Sequence, residues 1–146
     1  MKISIASDHA GFEQKQALAA YLESLGHDVI DRGPGTDDRV DYPDFAALVA
    51  HDVVDGAAER GVLVCGTGIG MAVAANKIDG IRAANVTSPV FAALAREHND
   101  ANIVAVSGRF VDEATNREIL DAFVSTEFGG GRHADRVKKI TALENE

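Results

Sequence analysis

The sequence is short of the features that mark secreted, membrane-spanning and disulfide-stabilised proteins. It has one cysteine, Cys65, in 146 residues, so no internal disulfide is possible. No apolar run approaches the roughly 20 residues that a membrane helix requires, and the first residues lack the long apolar stretch of a signal peptide. Together these absences predict a reducing, cytoplasmic location.

Positive charge is also scarce, since the formal net charge is −9. Neutralisation of phosphates dominates non-specific affinity for nucleic acid, so an acidic chain is a poor match for it. The same charge argues against an anionic membrane surface. A small anionic ligand would need a local concentration of positive charge, and the segment 129–139 provides one. Its basic residues are Arg132, Arg136, Lys138 and Lys139, against Asp135 alone.

The apolar content of 46% is enough to enclose one core in one domain. Apolar runs alternate with helical patterns along the chain, which indicates a parallel sheet covered by helices on both faces. With right-handed crossovers, the predicted fold is a three-layer α/β/α domain with a five-stranded, Rossmann-like open sheet. The predicted strands are 3–6, 28–30, 62–65, 81–86 and 103–106. A first helix ends near Gly26, and later helices cover about 45–54, 69–77, 88–97, 112–124 and 132–143.

Ligands in open α/β folds bind beyond the carboxyl ends of the strands. Asp8 and His9 follow the first predicted strand, the stretch 65–70 ends the third, and Arg109 follows the fifth. We therefore expect these residues to meet at one edge of the sheet.

The most informative stretch is the glycine turn, Cys65-Gly66-Thr67-Gly68-Ile69-Gly70. Glycines at alternate positions let the backbone turn tightly with several N–H groups facing one space. The helix that follows adds partial positive charge at its N-terminus, so the turn is predicted to hold an anion. It has neither the G-x-G-x-x-G spacing of a dinucleotide site nor the G-K-[ST] of a P-loop. Met71 stands where a thiolate phosphatase would place an arginine.

The position of Cys65 at the start of this turn allows two interpretations. An ordinary thiol titrates near about 8.5, and a helix N-terminus with aligned N–H groups lowers that value and makes a nucleophile or base. A lone cysteine that ends a buried strand is, on position alone, more often an inert small hydrophobic residue. Three glycines also occur in plain strand–helix turns. The residues alone leave both interpretations open.

Seven short motifs occur in order along the chain: SDHAGF at 7–12, DYP at 41–43, CGTGIG at 65–70, AANK at 74–77, GIRA at 80–83, EHNDAN at 97–102 and GGRH at 130–133. Together they resemble the type B ribose-5-phosphate isomerases, within the family that includes galactose-6-phosphate and allose-6-phosphate isomerases. Each motif is weak by itself, but seven in the right order make coincidence very unlikely. One branch of that family has a glutamate base at the end of the glycine turn; with Met71 there, this chain resembles the cysteine branch.

The resemblance implies an aldose–ketose isomerase without cofactor or metal that acts on a sugar phosphate. It implies that Cys65 moves a proton between C1 and C2, and that Thr67 and His98 act in ring opening. The implied hole for the enediolate consists of Gly66, Thr67, Gly68, Ile69 and Gly70. The implied sugar contacts are Asp8, Tyr42 and Asn99, and the implied phosphate contacts are His9, Arg109, Arg132 and Arg136.

Several of these residues have structural alternatives on pattern alone. Asp8 is equally consistent with a helix cap, and Tyr42 before Pro43 with a turn. Arg132 and Arg136 share a helix face, which is also typical of a solvated basic surface. For function, the alternatives are an isomerase of a hexose 6-phosphate and a non-catalytic sugar-phosphate sensor.

The family implies an assembly that is at least dimeric, and the predicted topology suggests how it works. The pair His98-Asn99 lies between a predicted helix and the fifth strand, hence at the edge opposite to Cys65. A strand of about five residues spans roughly 17 Å, too far for His98 to reach Cys65 of its own chain. We expect a homodimer or dimer of dimers with shared active sites, in which the C-terminal helix at about 132–143 packs on a partner.

Overall fold

The computed structural model describes all 146 residues. It confirms the predicted α/β domain with one parallel five-stranded sheet. The strands are β1 (Lys2–Ser7), β2 (Asp28–Asp31), β3 (Arg60–Cys65), β4 (Ala83–Asn85) and β5 (Ile103–Ser107). Their spatial order is β2-β1-β3-β5-β4, and every neighbouring pair is parallel. Strand β3 is therefore central, and β4 is an edge strand.

The chain has six helices, five of which cover the sheet: α1 (Phe12–Ser24), α2 (Tyr42–Val54), α3 (Ile69–Ala75), α4 (Pro89–Asn99), α5 (Glu113–Ser125) and α6 (Arg132–Ala142), followed by a short 3-10 turn at Leu143–Asn145. Buried residues of α1, α4 and α5 pack on one face of the sheet. Those of α2 and α3 pack on the other. Helix α6 buries no residue and lies against α4. No helix combines the length and the apolar character needed to cross a membrane.

Alternation along β3 decides where the cysteine points. Val62 and Val64 belong to the core under α1, α4 and α5, whereas Leu63 and Cys65 belong to the core under α2 and α3. Successive side chains of a strand face opposite sides of the sheet. The sulfur therefore lies on the α2–α3 side, at the carboxyl edge.

The structure corrects several predicted boundaries. Helix α2 begins at Tyr42 rather than after a Tyr42-Pro43 turn, because proline is accommodated in the first turn, where its missing N–H costs nothing. Helix α3 ends at Ala75, since the Asn76 side chain forms two hydrogen bonds with the backbone of Ala83. These bonds also mark the start of β4, which is shorter than the predicted 81–86.

Helix α4 continues two residues past its predicted end, through His98 and Asn99. Asp100 then ends it in a left-handed conformation, with φ of 48°. His98 and Asn99 are thus fixed on the last turn of a helix rather than on a loop.

Candidate active site

The glycine turn surrounds the sulfur of Cys65 with backbone. The residue is 5% exposed, and its Sγ accepts a hydrogen bond of 3.1 Å from the N–H of Gly68. Gly68 has φ of +83°, and a Cβ there would lie 2.5 Å from the Asn85 amide nitrogen. Only glycine fits this position, so the motif spacing corresponds to a real backbone requirement.

Backbone donors remain free next to the sulfur. The N–H groups of Thr67, Gly70 and Met71 donate to no acceptor in the chain. Gly70 and Met71 lie in the first turn of α3, where this is usual, and Thr67 precedes the helix. The N–H of Ile69 donates to the hydroxyl oxygen of Thr67 in the same turn, at 3.1 Å. Unused N–H groups at the start of a helix allow the turn to bind an anion.

Four other predicted residues line or border the turn at the same edge. The Tyr42 ring lies over Gly70, where a Cβ would come within 2.6 Å of it. The Arg109 side chain lies beside Gly66, and its backbone N–H donates to the Gly66 carbonyl at 3.2 Å. Asp8 and His9 follow β1, which pairs directly with β3.

The contacts of Asp8 and His9 show how each is held. One carboxylate oxygen of the buried Asp8 accepts the N–H of Gly11 at 3.0 Å, just before α1. This bond lies in the turn before α1, whose N-cap is Gly11 and has no side-chain cap, so Asp8 is not the helix cap; its second carboxylate oxygen is left free. Nδ1 of His9 accepts the N–H of Val40 at 3.3 Å. In the neutral ring this bond puts the proton on Nε2, where it can face a ligand.

The remaining predicted residues are His98, Asn99, Arg132 and Arg136. Together with His133, which was not predicted, they form a second group that we call the α4–α6 cluster. The rings of His98 and His133 are stacked, with centroids 4.3 Å apart and planes 16° apart. The N–H of Gly129 donates to the carbonyl of Glu97 at 2.9 Å, which ties the start of α6 to the end of α4. Both arginines are exposed.

The charges of the α4–α6 cluster affect one of its own members. Desolvation lowers the pKa of His133, and His98, Arg132 and Arg136 lower it further, against a smaller opposite effect of Glu97. A neutral His133 can stack on His98 without adding a charge beside the two arginines.

The α4–α6 cluster does not meet the glycine turn within one chain. Asn99 lines a cleft of about 630 Å³ together with Arg82 and Ala101, which precede β4 and β5. This cleft lies at the amino edge of the sheet, so it is not the candidate site. The prediction that His98 and Cys65 occupy opposite edges of one chain agrees with this geometry, and the four predicted phosphate ligands are divided between the edges.

Sequence reasoning missed the polar residues behind the turn. Asn116 donates to the Ser107 carbonyl at 2.9 Å and to the Gln14 side chain at 2.6 Å. Gln14 donates to the carbonyls of Gly108 and Val111 at 3.0 and 2.8 Å. These bonds fix the segment that carries Arg109. Their partners are up to 102 positions apart, so no local pattern reveals them. No group of three or more His, Cys, Asp or Glu side chains is placed to share a metal ion.

Comparison with known proteins gives consistent results. A family model described as Ribose/Galactose Isomerase matches residues 3–140. Ribose-5-phosphate isomerase B of Escherichia coli (strain K12) is 43% identical over 98% of this chain and 96% of its own length. The probable ribose-5-phosphate isomerase B of Mycoplasma pneumoniae is 48% identical over 99% of this chain and 95% of its own length.

Solved structures agree with the sequence comparisons. Ribose-5-phosphate isomerase B of Clostridium thermocellum superposes with a TM-score of 0.98 at 48% identity, covering 99% of this chain and 98% of that one. Ribose-5-phosphate isomerase B of Mycoplasma genitalium, solved with bound ribulose-5-phosphate, superposes with a TM-score of 0.95 at 45% identity, covering 99% of this chain and 97% of that one.

Proposed function

This chain belongs to the ribose/galactose isomerase family, and on that premise we propose that it interconverts ribose 5-phosphate and ribulose 5-phosphate. Full-length relatives that carry the name ribose-5-phosphate isomerase B support this substrate. So does the similarity to an enzyme solved with ribulose-5-phosphate. The observation that carries the proposal is the Cys65 sulfur beside unused backbone donors.

The reaction has two stages, which need different groups. Ribose 5-phosphate is mostly a closed furanose, so an acid at the ring oxygen and a base at the C1 hydroxyl must first open the ring. Histidine suits this task near neutral pH, and we assign it to His98 with Thr67. In the open aldehyde, a second base then takes the proton from C2 and returns it to C1, while the proton of the C2 hydroxyl passes to the C1 oxygen.

In the second stage, the Cys65 thiolate is the base, and the glycine turn stabilises the enediolate. As the C2–H bond breaks, negative charge grows on the C1 carbonyl oxygen. Backbone donors such as the N–H of Thr67 and Gly70 make no hydrogen bond within the chain, so none has to be broken before they bind the enediolate. Loss of one such donor typically costs about 2.7–4 kcal/mol of transition-state stabilisation.

The division of the predicted ligands between two edges supports a shared site. A sugar phosphate carries about −1.5 to −2 charges near pH 7, and arginine forks match its oxygens. We propose that Arg132, Arg136, His98 and Asn99 of one subunit complete the glycine turn of another. There they join His9 and Arg109 at the phosphate and Asp8 and Tyr42 at the sugar. A twofold dimer, alone or within a dimer of dimers, forms two such sites.

Exposed apolar residues support an interface beside the edge strand β4. Ala83 packs into the core under α3, and Ala84 into the core under α4, so these two helices flank β4. They expose Ile69 by 56% and Phe91 by 59%. Such apolar side chains, exposed on both helices that flank an edge strand, are suited to contact with another subunit. A catalytic thiol also requires reducing surroundings, so we place the enzyme in the cytoplasm.

The proposal is tested by measuring turnover of ribose 5-phosphate, galactose 6-phosphate and allose 6-phosphate with the purified protein. We expect the highest kcat/KM with ribose 5-phosphate. A higher value with either hexose phosphate would show a hexose 6-phosphate isomerase. Tight binding of all three without turnover would show a sugar-phosphate sensor.

A further inference from the structure

Two side chains outside the predicted site hold the peptide groups of the glycine turn from behind. The Ser107 hydroxyl donates to the Gly66 carbonyl at 2.7 Å. The Asn85 amide donates to the Thr67 carbonyl at 3.2 Å. Ser107 ends β5 and Asn85 ends β4, so both reach the turn from strands on the same side of β3.

The planarity of the peptide bond transmits these contacts to the sulfur. The C=O and N–H of a trans peptide point in opposite directions. In the Thr67–Gly68 peptide, the carbonyl faces Asn85 and the N–H faces Cys65 Sγ at 3.1 Å. In the Gly66–Thr67 peptide, the carbonyl faces Ser107, so the free N–H of Thr67 points away from Ser107. Each anchored carbonyl thus leaves a donor on the reactive side of the turn.

The anchors are themselves fixed. Ser107 is 2% exposed, and its oxygen accepts the N–H of Phe110 at 2.9 Å. That bond orients the hydroxyl so that its single proton serves the Gly66 carbonyl. The Asn85 amide nitrogen makes a second bond, to the Ala105 carbonyl at 3.1 Å.

A turn without these anchors has a competing conformation. The Thr67–Gly68 peptide can rotate at small steric cost, because the rotation changes φ of Gly68 and glycine accepts both signs of φ. The Gly66–Thr67 peptide is held more firmly, since its carbonyl also accepts the N–H of Arg109 at 3.2 Å and its rotation would change φ of the β-branched Thr67. A rotated Thr67–Gly68 peptide would present its carbonyl oxygen to the sulfur and would repel a thiolate.

We propose that Asn85 and Ser107 are positioning residues for proton transfer, because they hold the carbonyls of the glycine turn away from Cys65 and keep the N–H groups directed at the sulfur and the enediolate. Neither residue touches the reacting atoms. The kinetic consequence rests on the proposed function, whereas the consequence for the sulfur does not.

The test compares Asn85→Leu and Ser107→Ala with two controls. Ser107→Thr keeps the hydroxyl, and Thr87→Val removes an exposed hydroxyl just beyond β4. For Asn85→Leu and for Ser107→Ala we expect kcat to fall by about threefold to tenfold, the usual effect of one neutral hydrogen bond. KM for ribose 5-phosphate should change little, since the phosphate contacts are intact. Ser107→Thr should retain most of the activity, and Thr87→Val all of it.

A second readout follows the sulfur directly. Alkylation of Cys65 by iodoacetamide, measured against pH, should be slower at neutral pH in Asn85→Leu and Ser107→Ala than in the parent. Asn85→Asp keeps the shape of the side chain but loses its donor, so its Cys65 should be alkylated at least as slowly as that of Asn85→Leu. This variant replaces Asn85→Leu if Asn85→Leu does not fold.

Folded variants with parental kcat and parental alkylation rates would overturn the proposal, as would a change confined to KM. If the parent itself did not turn over ribose 5-phosphate, the proposed function would fail, and the alkylation rates would still decide whether Asn85 and Ser107 position the turn.

Discussion

The glycine turn and the α4–α6 cluster are built in opposite ways. The turn ends the central strand β3, its sulfur is buried, and its carbonyls are tied to neighbouring strands. The cluster stands largely on α6, which buries no residue and is held by a histidine stack and one backbone bond at Glu97. Proton transfer needs reacting groups fixed closely, which a packed core provides. Attraction of a phosphate by arginine tolerates more movement, so the exposed Arg132 and Arg136 of α6 can supply it. His98, to which we assign ring opening, is instead held on the last turn of α4 and by its stack on His133.

The largest expected effect comes from removing the buried thiol of Cys65. Cys65→Ala should lower kcat by about 10²–10⁴-fold, the usual contribution of a general base. The thermal unfolding midpoint should stay close to that of the parent, because one small side chain replaces another. Steady-state turnover of ribose 5-phosphate measures the effect, with Thr87→Val as the control. Turnover comparable to the parent would remove the assigned role of the sulfur.

A mixing experiment tests whether the two regions come from different subunits. Cys65→Ala and His98→Ala should each have little activity. Co-refolding equal amounts should restore about a quarter of parental activity, because half of the dimers are hybrids and each hybrid has one intact site out of two. The readout is turnover after mixing, with each variant refolded alone as the control. Absence of any recovery would place both residues in one chain and would contradict the shared site.

The smallest expected effect is a pH dependence confined to the α4–α6 cluster. The pKa of His133 lies below its usual value, about 6.5 in an unfolded chain, so the unfolded chain takes up more protons as pH falls. The stability that neutral His133 contributes is complete above about pH 6.5 and declines as pH falls toward the lower, folded value. Replacement by phenylalanine keeps a stacking ring that cannot titrate.

We therefore expect the thermal unfolding midpoint of His133→Phe to fall by fewer degrees than that of the parent between pH 7.5 and 5.5. The exposed His51 on α2 offers a matched control, and His51→Phe should follow the parent. Equal slopes for the parent and His133→Phe would show that the stack does not respond to protonation.

Prediction from sequence succeeded where the physical cause is local. The alternation of apolar runs placed all five strands, and the motif 65–70 identified the turn whose geometry requires glycine at position 68. Helix ends were less accurate. The sequence predicts a turn at Pro43, which instead lies in the first turn of α2, and it predicts an end of α4 before His98 and Asn99, which the helix includes. Whether a helix ends depends on contacts such as those of Asn76 with Ala83, which lie outside the local window.

By itself, the sequence determined the succession of strands and helices, the position of Cys65 before a glycine turn, and the family to which the chain belongs. Only the tertiary structure decided which strand ends meet. The order β2-β1-β3-β5-β4 places Ser107 opposite Cys65 and brings Asn85 within reach of Thr67. It also leaves the α4–α6 cluster at the other edge. Strand order depends on crossovers that join distant segments, whereas periodicity and turn chemistry act between neighbours.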